Sequence, residues 1–187
     1  NLTSALNISG RASAQMASLS RLSALAGRPL AGSADLTVSG SGSPLTGAFD
    51  IEASASGTDL AVAIAQLDRL MKGKATVSTS IRRDSTGTTL RDLTIKASTL
   101  TAQAKGSIAT AGSDVTADLK FTDLSVLGAG YRGALEGTAH ATGTLTAGSV
   151  DLTATGTNLA VGQVYADKVL RGSSAIQAKF ALRDGKL

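Results

Sequence analysis

Val115-Thr116-Ala117-Asp118-Leu119-Lys120-Phe121 alternates without a break, apolar at every odd position and polar at every even one. A period of two belongs to a strand with one dry and one wet face, because successive side chains leave a pleated backbone on opposite sides. The same beat runs through Ala34–Val38, Phe49–Ala53, Ala75–Ile81 (Thr79 the one lapse), Leu93–Ala97, Leu100–Lys105, Val150–Ala154 and Ile176–Phe180. Clusters of Gly, Ser, Asp and Pro punctuate it as turns would, which predicts about a dozen strands. The expected fold is all-β: a curved, mainly antiparallel sheet, wet on one side.

Composition agrees. Among 187 residues there are 32 Ala, 24 Leu and 21 Gly, but only three Phe, two Tyr and no Trp. Leu, Ile, Val and Phe together make up 43 residues, a little above the roughly 20% level below which chains stay disordered. Gly and Thr both cost helix stability, which argues against an all-helical domain. Two stretches still carry helical spacing. Ala14–Ala26 sets Met16, Leu19, Leu22 and Leu25 three apart, and Ala65–Lys72 holds Leu67, Leu70 and Met71. Each predicts a short helix at an end of the sheet.

An internal echo divides the chain. Gly57-Thr58-Asp59-Leu60-Ala61-Val62 returns as Gly156-Thr157-Asn158-Leu159-Ala160-Val161, five of six identical. Upstream, Leu30–Ala34 reads like Leu135–Ala139; downstream, Ile81–Asp84 reads like Ala181–Asp184. Two weak repeats near 28–84 and 132–184 are therefore expected within one segment, 1–187. The chain begins in mid-pattern, which reads as a piece of a longer protein.

Most functional motifs fail on their chemistry. A net charge of +4 without a basic cluster predicts no nucleic-acid partner. The absence of cysteine excludes disulfides, thiolate zinc and thiol catalysis. Gly128-Ala129-Gly130-Tyr131-Arg132-Gly133 spells a dinucleotide fingerprint, but that mechanism needs a following helix to hold a pyrophosphate. Leu135, Gly137, Ala139 and Ala141 alternate with Glu136, Thr138 and His140 instead. His140, the lone histidine, and the carboxylates Asp35, Asp50, Glu52, Asp118 and Asp151 fall on polar faces as solvated groups. Asn1-Leu2-Thr3 and Asn7-Ile8-Ser9 match a glycosylation acceptor pattern too short to carry weight. No catalytic, metal or cofactor site is predicted.

The aliphatic face carries the remaining information. A sheet must hide such a face. Ala and Gly fill a tight sandwich poorly, yet they suit a sheet that folds towards itself around a trough. An open trough would exceed the few hundred square ångströms of apolar patch a monomer normally shows, and it marks a ligand or partner. Each buried methylene contributes about 0.8 kcal/mol, so an acyl chain needs no specific contact there. The predicted lining is Leu36, Val38, Phe49, Ile51, Val77, Ile81, Leu93, Ile95, Leu100, Val115, Leu119, Phe121, Val150, Leu152, Ile176 and Phe180.

Phrases such as Leu25-Ala26-Gly27-Arg28-Pro29-Leu30-Ala31-Gly32-Ser33-Ala34 and Phe121-Thr122-Asp123-Leu124-Ser125-Val126-Leu127 resemble the TamB family. These are inner-membrane-anchored subunits of the bacterial translocation and assembly module, related to AsmA-like proteins. The resemblance implies a folded-over β-taco groove in the periplasm and phospholipid or another acyl-chain ligand. It also implies a TamA-like outer-membrane assembly barrel as partner, with nascent barrel proteins and autotransporters as clients. No enzymatic site is known for the family. The competing class is a β-solenoid passenger or surface adhesin. Solenoid rungs recur every 20–30 residues or so, whereas the echo here spans about a hundred.

Overall fold

The computed structural model describes residues 6–109, 112–144 and 147–183. Strands β1 (Ile8–Met16), β2 (Ala31–Ser43), β3 (Ala48–Ala61), β4 (Lys74–Asp84) and β5 (Gly87–Lys96) are followed by β6 (Leu100–Ala109), β7 (Gly112–Phe121), β8 (Tyr131–Gly143), β9 (Ala147–Val161) and β10 (Ser173–Arg183). The helices are short: α1 (Ser23–Ala26), α2 (Ala65–Leu70) and α3 (Val164–Val169), with 3-10 turns at Leu19–Leu22 and Leu124–Leu127. All ten strands form one open antiparallel sheet in chain order, with β1 and β10 as its edges. This sequential meander is not the rung stacking of a solenoid.

Among the described residues the strands number ten, against about a dozen predicted, because they are long. β3 and β9 run 14 and 15 residues, straight through Gly and Ser clusters that read as turns. The first helix also begins later than its spacing implies. Ala14 and Met16 belong to β1, where Ile8, Gly10, Ala12, Ala14 and Met16 pair in register with β2, so the ladder wins those residues from the helix. The Asn1 acceptor pattern and Asp184 lie outside the described residues.

A meander reverses at every strand, so its connections alternate between two ends. The β2–β3 and β4–β5 turns lie at one, the turn end. The connections carrying α1, α2, α3 and the Leu124–Leu127 turn all lie at the other, the helical end. There α2 and the Leu124–Leu127 turn touch across the tight β5–β6 connection. Ser98 Oγ donates to the Leu70 carbonyl at 3.0 Å, and the Thr122 amide donates to the Thr99 carbonyl at 2.9 Å.

What core exists sits at this end. Among the described residues the buried apolar side chains are Leu70, Ala75, Ala154 and Leu159. Gly57 and Gly156 leave room on the apolar face for Leu60 and Leu159, which fold back over them. No large side chain among the described residues is fully buried.

The two echoing phrases build the same turn. Asp59 and Asn158 adopt left-handed backbone at φ 50 and 51°. Each exchanges a pair of hydrogen bonds with a glycine: the amides of Asp59 and Asn158 donate to the carbonyls of Gly73 and Gly172, whose own amides donate back to Asp59 Oδ1 and Asn158 Oδ1. The Val62 and Val161 amides donate to Asp68 and Asp167, both at 2.7 Å. Gly32 and Gly133, at φ 95 and 92°, mark matching bulges where any Cβ would lie 2.5–2.6 Å from carbonyl oxygens of β3 or β9.

This geometry corrects the alignment of the flanks. Gly32 corresponds to Gly133, not to Gly137, and Ile81 corresponds to Phe180, not to Ala181. Both partners of the second pair face the same side of the sheet. A one-residue slip would have turned the strand over.

Candidate functional site

The candidate site is the apolar face. The register carries one row across β2–β10 as Leu36, Ala55, Val77, Ile95, Ala102, Leu119, Gly137, Ala154 and Ile176. A second row holds Val38, Ala53, Thr79, Leu93, Ala104, Ala117, Ala139, Leu152 and Ala178. Phe49, Ile51, Ile81, Val115, Val150 and Phe180 continue towards the turn end, and Leu100 and Phe121 stand at the helical end. All sixteen residues nominated from the sequence fall on this one face.

None of the sixteen is buried. Twelve are half-covered by their neighbours, while Leu36, Val77, Leu119 and Phe180 are exposed, Phe180 at 47%. No second sheet or helix among the described residues lies over the rows. Nine strand spacings of about 4.8 Å extend the face roughly 43 Å from β1 to β10. Small residues interrupt the large ones along each row, so Leu119 stands between Ala102 and Gly137, whereas Val77 faces Ile95. Thr79 breaks the apolar pattern harmlessly, since its hydroxyl donates to the Asp92 carbonyl at 3.1 Å. Near the turn end Val115, Ala141, Gly143, Val150 and Phe180 enclose an apolar hollow of about 180 Å³.

Sequence reasoning missed part of the lining. β1 contributes Ile8, Ala12, Ala14 and Met16, and its alternation was the available signal. Leu90 also faces this side, opposite Ile81 and Gly106. Counting back by twos from Leu93 assigns it to the wet face. A bulge at Arg91 flips the parity, which no alternation count reveals.

The opposite face is ionic and wet. Lys120 pairs with Glu136 at 2.9 Å and Lys179 with Asp151 at 3.0 Å. The bulged Arg91 binds Asp50, whose carboxylate raises the guanidinium's pKa, and its Nε donates to Ser80 Oγ at 2.9 Å. His140 Nε2 lies 2.9 Å from Asp114 Oδ1, an exposed contact across β7 and β8. A larger hollow of about 500 Å³ opens on this face among Thr101, Gln103, Asp118, Lys120, Glu136 and Thr138. Hydroxyls and an ion pair line it beside parts of Leu119 and Ala154, so it is a mixed surface and not an aliphatic one. The Gly128–Gly133 run enters strand β8, and the helix a pyrophosphate would need does not follow it.

Among the described residues no group of His, Cys, Asp and Glu clusters to hold a metal ion, and no helix is long and apolar enough to cross a membrane. Residues 34–180 match the family model described as TamB, N-terminal domain. No curated protein and no solved structure matches the chain.

Proposed function

The chain belongs to the TamB N-terminal domain family, which makes it part of a TamB-like protein of outer-membrane assembly, and we propose that its apolar face is a groove segment sheltering phospholipid acyl chains in the periplasm. One observation carries the reading: a face ten strands wide presents aliphatic side chains, and no residue of its predicted lining is buried. Water against such a face is costly, at about 25 cal/mol for each Å² left uncovered. A pliable ligand without shape requirements suits the irregular mixture of large and small residues along each row. The ligand then moves along the rows without breaking specific contacts, as transport requires. The proposal assigns the chain no catalytic chemistry, cofactor or metal, and anchors its parent protein in the inner membrane.

Photocrosslinkers at Leu93, Ile95 and Leu119 test the reading, with Thr94 and Lys120 as controls on the opposite face. Lipid adducts from the first set, identified by mass spectrometry alongside co-purified phospholipid, are the expected result. Equal labelling from the controls would sink it.

A second reading rests on the two open edges. Among the described residues β1 and β10 each pair with one neighbour only, an arrangement that suits addition of an extended strand from a nascent barrel protein. It predicts crosslinks to such clients at the edge strands, with a TamA-like barrel receiving them beyond the segment.

A further inference from the structure

The two copies of the turn at the helical end share a backbone but not a charge. At the first, Asp59 and Asp68 stand with Arg69, Lys72 and Lys74, and Ala31 precedes the bulge glycine. At the second, Asn158 replaces Asp59, Arg171 replaces Lys72, and Arg132 replaces Ala31. At these positions two carboxylates and one ammonium become one carboxylate and two guanidiniums, while Arg69 and Lys168 keep a cation in both copies and Lys74 gives way to Ser173. Arg132, Arg171, Asn158 and Asp167 line one hollow of about 410 Å³, floored in part by Gly130 and Gly162. The glycines let the backbone close in: a Cβ on Gly130 would stand 3.4 Å from the Gly162 Cα.

Both arginines are held but not neutralised. Arg132 pairs in register with Ala160, and Arg171 directly precedes Gly172, which is tied to Asn158 by hydrogen bonds of 2.6 and 3.2 Å. Neither guanidinium takes part in an ion pair among the described residues. Asp167, the one carboxylate in the hollow, already accepts the Val161 amide. Two guanidiniums with open forks are suited to a phosphate oxygen pair. Leu159, which folds back over Gly156 on the apolar face, also lines the hollow at the helical end.

We propose that this hollow binds the phosphate of an anionic lipid headgroup whose acyl chains lie on the apolar face, so that the helical end is the headgroup side of the groove. The proposal rests on the groove reading and adds the class of lipid and its orientation.

The test compares dihexanoyl-phosphatidic acid with dihexanoylglycerol, which has the same chains without the phosphate, and with glycerol phosphate. Each is titrated into the delipidated protein, into Arg132→Gln/Arg171→Gln and into Asn158→Asp. The phosphate-bearing lipid should bind at least about tenfold tighter than dihexanoylglycerol, the preference that one charge-assisted hydrogen bond would give. The double variant should erase that preference while dihexanoylglycerol binds unchanged, and Asn158→Asp should reduce it. Unchanged thermal midpoints exclude misfolding. Equal binding of both lipids by the wild-type protein would overturn the headgroup site and leave the groove standing. Binding of neither would overturn the groove and the site with it. If glycerol phosphate binds as tightly as the lipid, the hollow takes free phosphate esters and the headgroup orientation falls.

Discussion

Leu159 lies over Gly156, its side chain occupying the place where a Cβ on that glycine would stand. Three residues after the glycine, the chain has bulged and turned so that the leucine folds back onto its own strand. At 6% exposure it is one of the few apolar side chains hidden from water. Gly57 and Leu60 repeat the arrangement at 2.7 Å. Substituting Gly156→Ala should evict Leu159 and destabilise the fold by about 1–3 kcal/mol. A fall in the urea midpoint, with near-native circular dichroism at zero denaturant, checks this.

Ala63 and Gly162 occupy equivalent positions in the two turns, both left-handed, at φ 59 and 77°. An L-residue with a Cβ is disfavoured there by about 1 kcal/mol. Ala63→Gly should therefore raise the thermal midpoint, against the usual cost of introducing glycine, whereas Gly162→Ala should lower it. Two melting curves decide the matter, and a drop for Ala63→Gly would contradict it.

Leucines on the open face should behave unlike leucines at the helical end. Leu159→Ala should cost about 2–5 kcal/mol, as cavity-forming truncations do. Leu119 is 37% exposed, so Leu119→Ala should cost less than about 2 kcal/mol while weakening lipid binding. Comparing stability with co-purified lipid for the two variants separates core from binding surface.

Asp123 caps the Leu124–Leu127 turn. Its carboxylate accepts the Ser125 amide and hydroxyl, both at 2.8 Å, and those bonds, the backbone one foremost, hold its pKa below the ordinary carboxylate value. A depressed folded pKa stabilises the fold above the unfolded value and loses that contribution as pH falls through the folded one. The gap in thermal midpoint between wild type and Asp123→Ala should hold steady from neutrality to about pH 5 and narrow below about pH 4. A gap that widens on acidification would refute the assignment.

Much of this was legible in the sequence. Period-two alternation assigns each side chain to a face wherever a strand is regular, and the sixteen nominated residues meet on one surface for that reason. It fails where the backbone adds a residue. Leu90 was lost to the bulge at Arg91, and the flanking repeats were aligned out of step because Gly32 stands 27 positions before Asp59 whereas Gly133 stands only 25 before Asn158, a difference in the intervening hairpin that low-complexity sequence conceals. Helical spacing in low-complexity sequence misleads in the same way, since Ala14 and Met16 satisfy both periods and only pairing with β2 chose between them.

By itself the sequence determined the strand chemistry: which residues are oily, which wet, and that no cysteine is present. Tertiary structure decided that the oily rows join into one uncovered face, because only register aligns side chains from nine or ten strands. It also decided that the core gathers at the helical end, and that Arg132 and Arg171 share a hollow although 39 positions separate them in the chain. Such meetings depend on turns and bulges, whose geometry is set by long-range hydrogen bonds and leaves little trace in local pattern.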